Sequence, residues 1–558
     1  MGSMAKEENS GRPTGPVMPR LAGPVLIAVA ATMATVATLA PEGGGPGVTC
    51  DEGYHVATGK RLVMALRQQG LGFFKPANVA ENFYWPPGGM PVHPPLGNWI
   101  LGGVHHLFDT AADDPRIVSV LPARFAPAFA LGLLVVLVGL WTTRAAGPTA
   151  GTAAAAAVVL VPRVFGHAHL AALDTITALF FVAAVLAVAE ADARGGRLWH
   201  YAAAGVVWGL AMLTRIHGLL VLPPVLVWMA WRLRRRAVLP LVVWAGAGLA
   251  VFFAGWPWLW LAPVAHFRQL LGTATGRQAI HVFYAGRVWA DHEVPWHYPV
   301  VMFVVALPVG LLLLGLLGAW ANRRPDKADP GYLLVMGSLL FMLLVFAWPG
   351  TPVYDGVRLF LMVFPLWAIL VGAGAKWVLQ CRAWRGLSPR LRVSALGLFV
   401  ALQGAGLILY HPCQLSHYSL LVGGLWGAER LGFEVTYWGD AVVEPLLAEA
   451  ARRDPGGVVL FGPSLAPFQV PAVAMSSPAL AENRVLLSGW DQQWTEPPSG
   501  PRYAVFYQRK ADLAGIPQRF FSTGVILEQQ KQGVWLARLV KLPPPRRAPP
   551  GNYNGGFD

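Results

Sequence analysis

The sequence predicts an all-α polytopic membrane protein, followed by a small α/β domain outside the membrane. Three observations carry this expectation. Of the 558 residues 55% are hydrophobic and only 13% charged, where a soluble globule carries about 25% charged residues. Apolar runs recur along the first four hundred residues, at the roughly 17–25 residues that a helix needs to cross hydrocarbon. Near residue 411 these runs stop, and short apolar segments bounded by turn residues take over, which is the pattern of strands.

The runs number about eleven at this length, and they fall at 21–40, 117–141, 148–162, 174–190, 199–214, 216–232, 237–258, 299–320, 331–348, 358–379 and 393–410. With the N-terminus in the cytoplasm, the inner loops hold Arg144, Arg194 and Arg197, Arg232 to Arg236, Arg323, Arg324 and Lys327, and the stretch 382–392. All are basic, as the positive-inside rule requires. The same distribution explains the net charge of +14 and excludes nucleic acid as a partner, because no basic face interleaved with aromatics exists. The lipid bilayer is the implied partner, and the protein is expected in the cell (cytoplasmic) membrane. The run 21–40 lacks a cleavage site and heads a polytopic chain, so it reads as a retained span. Met1-Gly2-Ser3-Met4 reads as an expression leader.

Four regions follow from these runs. Residues 1–20 form a disordered polar tail. Residues 21–410 form the transmembrane domain, with long outer loops at 41–116 and 259–298. Residues 411–542 form the extracytoplasmic α/β domain, with strands expected at 458–463 and 503–507 and a hairpin at 525–537. Residues 543–558 are a Pro-rich tail. Three cysteines, Cys50, Cys381 and Cys413, are too few for a disulfide framework. Cys50 and Cys413 share the outer side, so their pairing is left open.

The chemistry concentrates on that outer side. Asp51-Glu52 follows the first run, and carboxylates beside hydrocarbon are costly enough to need a reason. Met90-Pro91-Val92-His93-Pro94-Pro95-Leu96 lies in the same loop. Arg163, His167, His169 and Asp174 crowd the next outer turn, Arg215 and His217 the third, and Asp355-Gly356-Val357-Arg358 enters the run at 358–379. A carboxylate can take the proton of an attacking hydroxyl, and arginines can hold a phosphate and stabilise it as it leaves. Long outer loops over an apolar body suit a substrate that is half lipid. Group transfer from a lipid phosphate to a hydroxyl is the reaction these residue types serve. Each also has a structural reading: helix cap for Asp174, interface snorkelling for Arg358, aromatic belt for Trp289 and His297.

The chain resembles the GT-C superfamily of membrane glycosyltransferases, in its protein O-mannosyltransferase and aminoarabinose-transferase branch. The resemblance rests on Asp51-Glu52 with Tyr54, His93-Pro94-Pro95-Leu96, Asp174-Thr175, Asp355 to Phe360, and the stretch from Tyr418 to Asp440 with its Tyr437-Trp438-Gly439. It implies a polyprenyl-phosphate sugar donor, a hydroxyl acceptor on protein, lipid or glycan, and an inverting transfer on the outer face. It implies Asp51 as base, with Glu52 and Asp174 as further catalytic carboxylates; Glu52 would orient the acceptor or pair with an arginine. His93, Arg358 and Arg215 would hold the donor phosphate. Tyr54, Trp289 and His297 would contact acceptor or sugar. The cofactor is undetermined; a divalent cation on Asp51, His167 and His169 stays open, though two histidines do not make a closed zinc site. Two positions depart from the family pattern: Ser419 stands where relatives carry Asn, and Val92 where an aminoarabinose transferase has Glu. A transporter or flippase of lipid-linked substrates would place charges in mid-span and show related halves, and neither feature is present. A non-catalytic assembly protein is the remaining alternative.

Overall fold

The structure is a computed structural model that describes residues 18–84, 93–109, 118–275, 279–324, 329–384, 386–491, 493–494 and 496–544. Met90, Pro91 and Val92, most of the N-terminal tail and most of the Pro-rich tail lie outside the described residues. Helices α1 (Met18–Ala37), α2 (Cys50–Gln69), α3 (Pro76–Asn82), α4 (Leu96–Phe108), α5 (Leu121–Ala146), α6 (Pro148–Val159), α7 (Pro162–His167), α8 (Asp174–Ala193) and α9 (Leu198–Thr214) come first. They are followed by α10 (Leu222–Leu233), α11 (Val238–Gly255), α12 (Pro257–Leu261), α13 (Pro263–Thr275), α14 (Tyr298–Ala306) and α15 (Val309–Ala321). Then come α16 (Pro330–Ala347), α17 (Val363–Gln380), α18 (Pro389–Leu402), α19 (Ala405–Leu409), α20 (Gly424–Arg430), α21 (Glu444–Arg453) and α22 (Gln469–Met475).

The molecule is a mostly helical, multi-pass integral membrane protein with a C-terminal mixed-sheet domain. Among the described residues seven helices are long and apolar enough to cross a bilayer. An eighth candidate is α14 with α15, bent by 114° at Leu307-Pro308. Each of the about eleven expected runs is helical among the described residues; Leu21–Ala37, α6 and α9 are apolar helices of 10–17 residues, shorter than the seven long candidates. Hydropathy registers apolar length, and it does not distinguish a full crossing from a short helix packed among others; α6 is largely buried and lies against α5 and α17.

The described residues of the loop expected at 41–116 hold three helices, α2 to α4, and α2 is too polar to register as an apolar run. Its start is nonetheless encoded. Thr49 has extended φ/ψ, and the Glu52 carboxylate at the third helical position accepts from the Thr49 backbone N–H at 2.8 Å, the reciprocal half of a capping box. Helix α2 crosses α4 where Gly59 meets Gly102. A Cβ on Gly59 would lie 2.3 Å from the Asn98 carbonyl oxygen, and one on Gly102 2.2 Å from the Gly59 carbonyl carbon. Only glycines permit this approach, which brings Asn98 onto His55 with Oδ1 3.0 Å from Nδ1.

Glu52 and Arg124 are both fully buried and tie the core of this region together. Glu52 accepts from Arg124 Nε (2.7 Å) and Nη2 (2.9 Å), from the Thr49 hydroxyl (3.0 Å) and from the Ala171 N–H (2.7 Å). Arg124 spends its remaining N–H groups on the carbonyls of Leu39, Pro46 and Gly47. The end of α1, the Gly-rich break, α2, α5 and the turn before α8 thus converge on one ion pair.

In the C-terminal domain, β3 (Val458–Gly462) pairs in parallel with β4 (Leu486–Gly489) and β5 (Tyr503–Tyr507). Strand β7 (Val534–Lys541) runs antiparallel to β5 and to β6 (Val525–Lys531), giving the order β4-β3-β5-β7-β6. The expected strands are present; β4 and the hairpin β1 (His281–Tyr284) and β2 (Arg287–Ala290) were not foreseen. The domain docks on α2 through α22: a Cβ on Gly53 would lie 2.4 Å from the Phe468 carbonyl oxygen, and Gln469 Nε2 donates to the Val48 carbonyl at 3.1 Å. All three cysteines are free thiols; Cys413 accepts weakly from Gln529, and it does not pair with Cys50.

Replacing Arg124 by Met leaves Glu52 as a buried charge without its partner, and such breaks cost about 3–5 kcal/mol. We expect a clear fall in thermal midpoint for Arg124→Met in detergent or nanodiscs. The double variant Arg124→Met/Glu52→Gln should lose less than the sum of the single effects; strict additivity would sink the pairing argument.

Candidate active site

Asp51 and Asp174 occupy the first turns of α2 and α8, where a helix N-terminus favours a negative charge. Both meet Arg358, from the 3-10 turn Arg358–Phe360 that precedes α17. Arg358 Nη2 donates to Asp51 Oδ2, and its Nε lies 3.4 Å from Asp174 Oδ1. Its Nη1 donates to Asp355 at 3.2 Å, while the guanidinium lies 3.8 Å above the Trp438 ring. Arg215, at the C-terminal end of α9, donates to Asp174 Oδ1 at 2.6 Å. Asp355 also accepts from Trp438 Nε1 at 2.6 Å and faces Arg509 of the sheet domain at 3.2 Å. Its backbone has φ +54°, a left-handed conformation that Asp tolerates better than most residues, and this turn aims the carboxylate inward.

The cluster is therefore an alternating set of carboxylates and guanidiniums: Asp51, Asp174 and Asp355 with Arg215, Arg358 and Arg509. Exposure separates its acids. The side chain of Asp51 is 29% exposed, that of Asp174 1% and that of Asp355 6%. Burial alone would raise the Asp51 carboxyl, but the Arg358 guanidinium outweighs it and holds the group below the usual carboxylate range. Asp174 does not cap its helix; Leu173 is the N-cap, and the carboxylate is engaged by Arg215 and Arg358. Arg358 is buried and does not snorkel to an interface.

Of the expected residues, the structure brings together Asp51, Asp174, Arg215 and Arg358. His93 lies one layer away, its ring 5.5 Å from that of His55. It lines a small cleft with Tyr54, Arg61, Asn82 and Asn98. Burial, and then the nearby Arg215, push its imidazole well below the ordinary value, so His93 offers a phosphate one N–H and no charge. Tyr54 packs on Phe468, ring centroids 6.0 Å apart.

Three expectations are corrected. Glu52 is unreachable by substrate, since its oxygens are consumed by Arg124, Thr49 and Ala171; of the roles weighed for it, the one it takes is pairing with an arginine. Trp289 and His297 surround Tyr284: Trp289 Nε1 donates to the Tyr284 carbonyl at 3.0 Å, and His297 Nδ1 lies 2.8 Å from the Tyr284 hydroxyl. Among the described contacts neither touches the charged cluster. The grouping of Asp51 with His167 and His169 does not assemble either. His167 and His169 each spend Nδ1 on the carbonyl four residues back, at 2.7 and 2.9 Å, and His169 Nε2 meets Thr38. Among the described residues no three His, Cys, Asp or Glu side chains could hold a metal ion.

Three participants had been missed. His55 stands one helical turn after Asp51, a spacing that puts both on one face and could have revealed it. Burial lowers its imidazole to about 4. Trp438 lies inside a stretch already singled out, with nothing local to mark it as an arginine platform. Arg509 comes from the sheet domain, and nothing in its neighbourhood announces a contact with Asp355.

Replacing Arg509 by Leu leaves Asp355 and Asp512, 3.3 Å from Arg509, short of a cation. We expect about 3–5 kcal/mol of destabilisation, read as a lower thermal midpoint and faster proteolysis of the sheet domain. Asp355→Asn should soften that loss.

Residues 92–260 match the family model described as dolichyl-phosphate-mannose-protein mannosyltransferase. No curated protein matches the chain. Among solved structures, the chain is similar to ArnT from Cupriavidus metallidurans bound to undecaprenyl phosphate: 14% identity and TM-score 0.49, over 94% of this chain and 98% of that one. It is also similar to the oligosaccharyltransferase AglB from Archaeoglobus fulgidus in complex with an inhibitory peptide and a dolichol-phosphate: 13% identity and TM-score 0.48, over 87% of this chain and 69% of that one. The stretch similar to that family model runs from within the loop 41–116 into α12.

Proposed function

We propose that the protein moves a sugar from a polyprenyl-phosphate donor to a hydroxyl acceptor, on the face of the membrane where the sheet domain lies, the outer one. The observation that carries this reading is the graded exposure of the cluster, in which Asp51 is the one of the three acids that an incoming hydroxyl can reach. The acceptor oxygen attacks the anomeric carbon as the bond from that carbon to the phosphate oxygen breaks. The acceptor proton passes to the Asp51 carboxylate, and polyprenyl phosphate leaves with the electron pair. One displacement inverts the anomeric centre.

Arg358 links the two ends of this step. At rest it is paired with Asp51; a phosphate arriving beside it competes for the same guanidinium and releases Asp51 toward the acceptor. Arg215 and Arg358 then face the charge that grows on the leaving group, and Asp174 holds both in place. His93 supplies a neutral donor at the rim.

Turnover of a labelled polyprenyl-phosphate sugar tests the assignment. Asp51→Asn should lower it by about 10²–10⁴-fold with the fold retained and the donor bound no more weakly than by the wild type; full activity would exclude Asp51 as base. The pH profile gives a second test. Because the Asp51 pKa is depressed, its carboxylate stays ionised as pH falls through the ordinary Asp range near 3.9, and the acid limb of kcat/KM should lie below that range. Arg358→Gln removes the depressing charge, so the limb should move to higher pH in the surviving activity.

A further inference from the structure

A large apolar groove among the described residues lies away from this cluster. It has a volume of about 750 Å³ and runs between α1, α6, α18 and α19. Its walls include Ala31, Ala34, Ala153, Ala156, Val400 and Ala401. Along α1 it extends from Ile27 to Thr38 and along α6 from Thr149 to Leu160, about 16 Å each at 1.5 Å per residue. That is about half of a ~30 Å hydrocarbon core, the depth of one leaflet. Polar groups enter at the end nearest the sheet domain, where Thr38, His411 and Gln414 form the rim. A cation stands there too: Lys531 Nζ donates to the His411 carbonyl. Helix α7 is the partition between this groove and the cluster. Phe165 faces the groove, while Arg163 and His167 line a separate cleft with Asp355 and Trp438.

From this geometry we propose that the groove is a binding site for one bilayer phospholipid with an anionic headgroup, its acyl chain between α1 and α18 and its phosphate at Lys531. The depth fits one chain of one leaflet, the apolar walls exclude water, and the only charge at the rim is positive among the lining and adjoining residues described. The lipid has a structural consequence. Helix α18 is mostly exposed, with Leu396 and Val400 its buried residues. The chain continues from α18 and α19 through Gln414 to Trp438, the platform beneath Arg358. A lipid that joins α1 to α18 therefore steadies the strand of chain leading into the active site. This site is additional to the donor reading above and does not depend on it.

A side chain at Gly397 starts into open space, since a Cβ there meets nothing within 4 Å. The experiment is native mass spectrometry of the full chain, delipidated and then offered phosphatidylglycerol or phosphatidylcholine. The wild type should keep one phosphatidylglycerol per chain. Gly397→Phe/Ala34→Phe should bind it about tenfold more weakly, as expected when even two methylenes are kept from burial; its circular dichroism should match the wild type. Lys531→Gln should bind both lipids equally. Undiminished binding by the filled variant overturns the proposal. So does a groove occupied by polyprenyl phosphate in place of phospholipid, or a dimer that the filling substitutions dissociate. Loss of donor turnover with lipid binding intact would instead count against the catalytic reading alone.

Discussion

The buried pair of Glu52 and Arg124 is the constraint on which the active site depends. Two charges with no exposure are expensive to desolvate, and the cost is tolerable only when every donor and acceptor is used. Here five hydrogen bonds reach Glu52, and Arg124 reaches three carbonyls besides. The pair fixes where α1 ends, where α2 begins and where the turn before α8 sits. Those positions in turn set the origins of the two helices that carry Asp51 and Asp174. The neighbour of Asp51 is thus the anchor that aims it.

From that anchor the site is built by convergence of helix ends. Asp51 and Asp174 start helices, Arg215 ends one, and Arg358 lies in a 3-10 turn before another. Helix ends expose backbone groups and dipole charge of known sign, so acids at the starts are favoured before any side-chain partner arrives. The arginines then neutralise them across the cavity. An ion network of this kind contributes little net stability, and its value lies in geometry: each guanidinium is held by acids, and that of Arg358 also by the Trp438 ring. In the proposed reaction, a donor phosphate competing for Arg358 would meet a cation already in position.

The sheet domain completes the cluster. Arg509 closes the charge balance at Asp355, the Phe468 backbone packs over Gly53, and Gln469 donates to the Val48 carbonyl ahead of α2. Trp438, on the connection from the membrane part to that domain, forms the platform for Arg358. The sheet domain is therefore a wall of the charged cluster.

Sequence alone determined what is periodic or local. Apolar runs mark the helices of the membrane part, because burial in hydrocarbon demands uninterrupted apolar length, and basic loops give an orientation. The strands at 458–463, 503–507 and 525–537 are legible for the same reason, and so are Asp51, Asp174, Arg215 and Arg358, since charges beside long apolar runs stand out. Tertiary structure decided everything that depends on which end meets which. It divided Asp51 from Glu52, which one residue's rotation on α2 sends to an open cleft and to a sealed core. It shortened α6 and broke α14 from α15, drew His55 and Arg509 in, and left Trp289 and His297 outside. The physical reason is that a charge is costly wherever it is buried, so its presence is visible in the chain, whereas the partner that compensates it comes from anywhere in the fold and leaves no local mark.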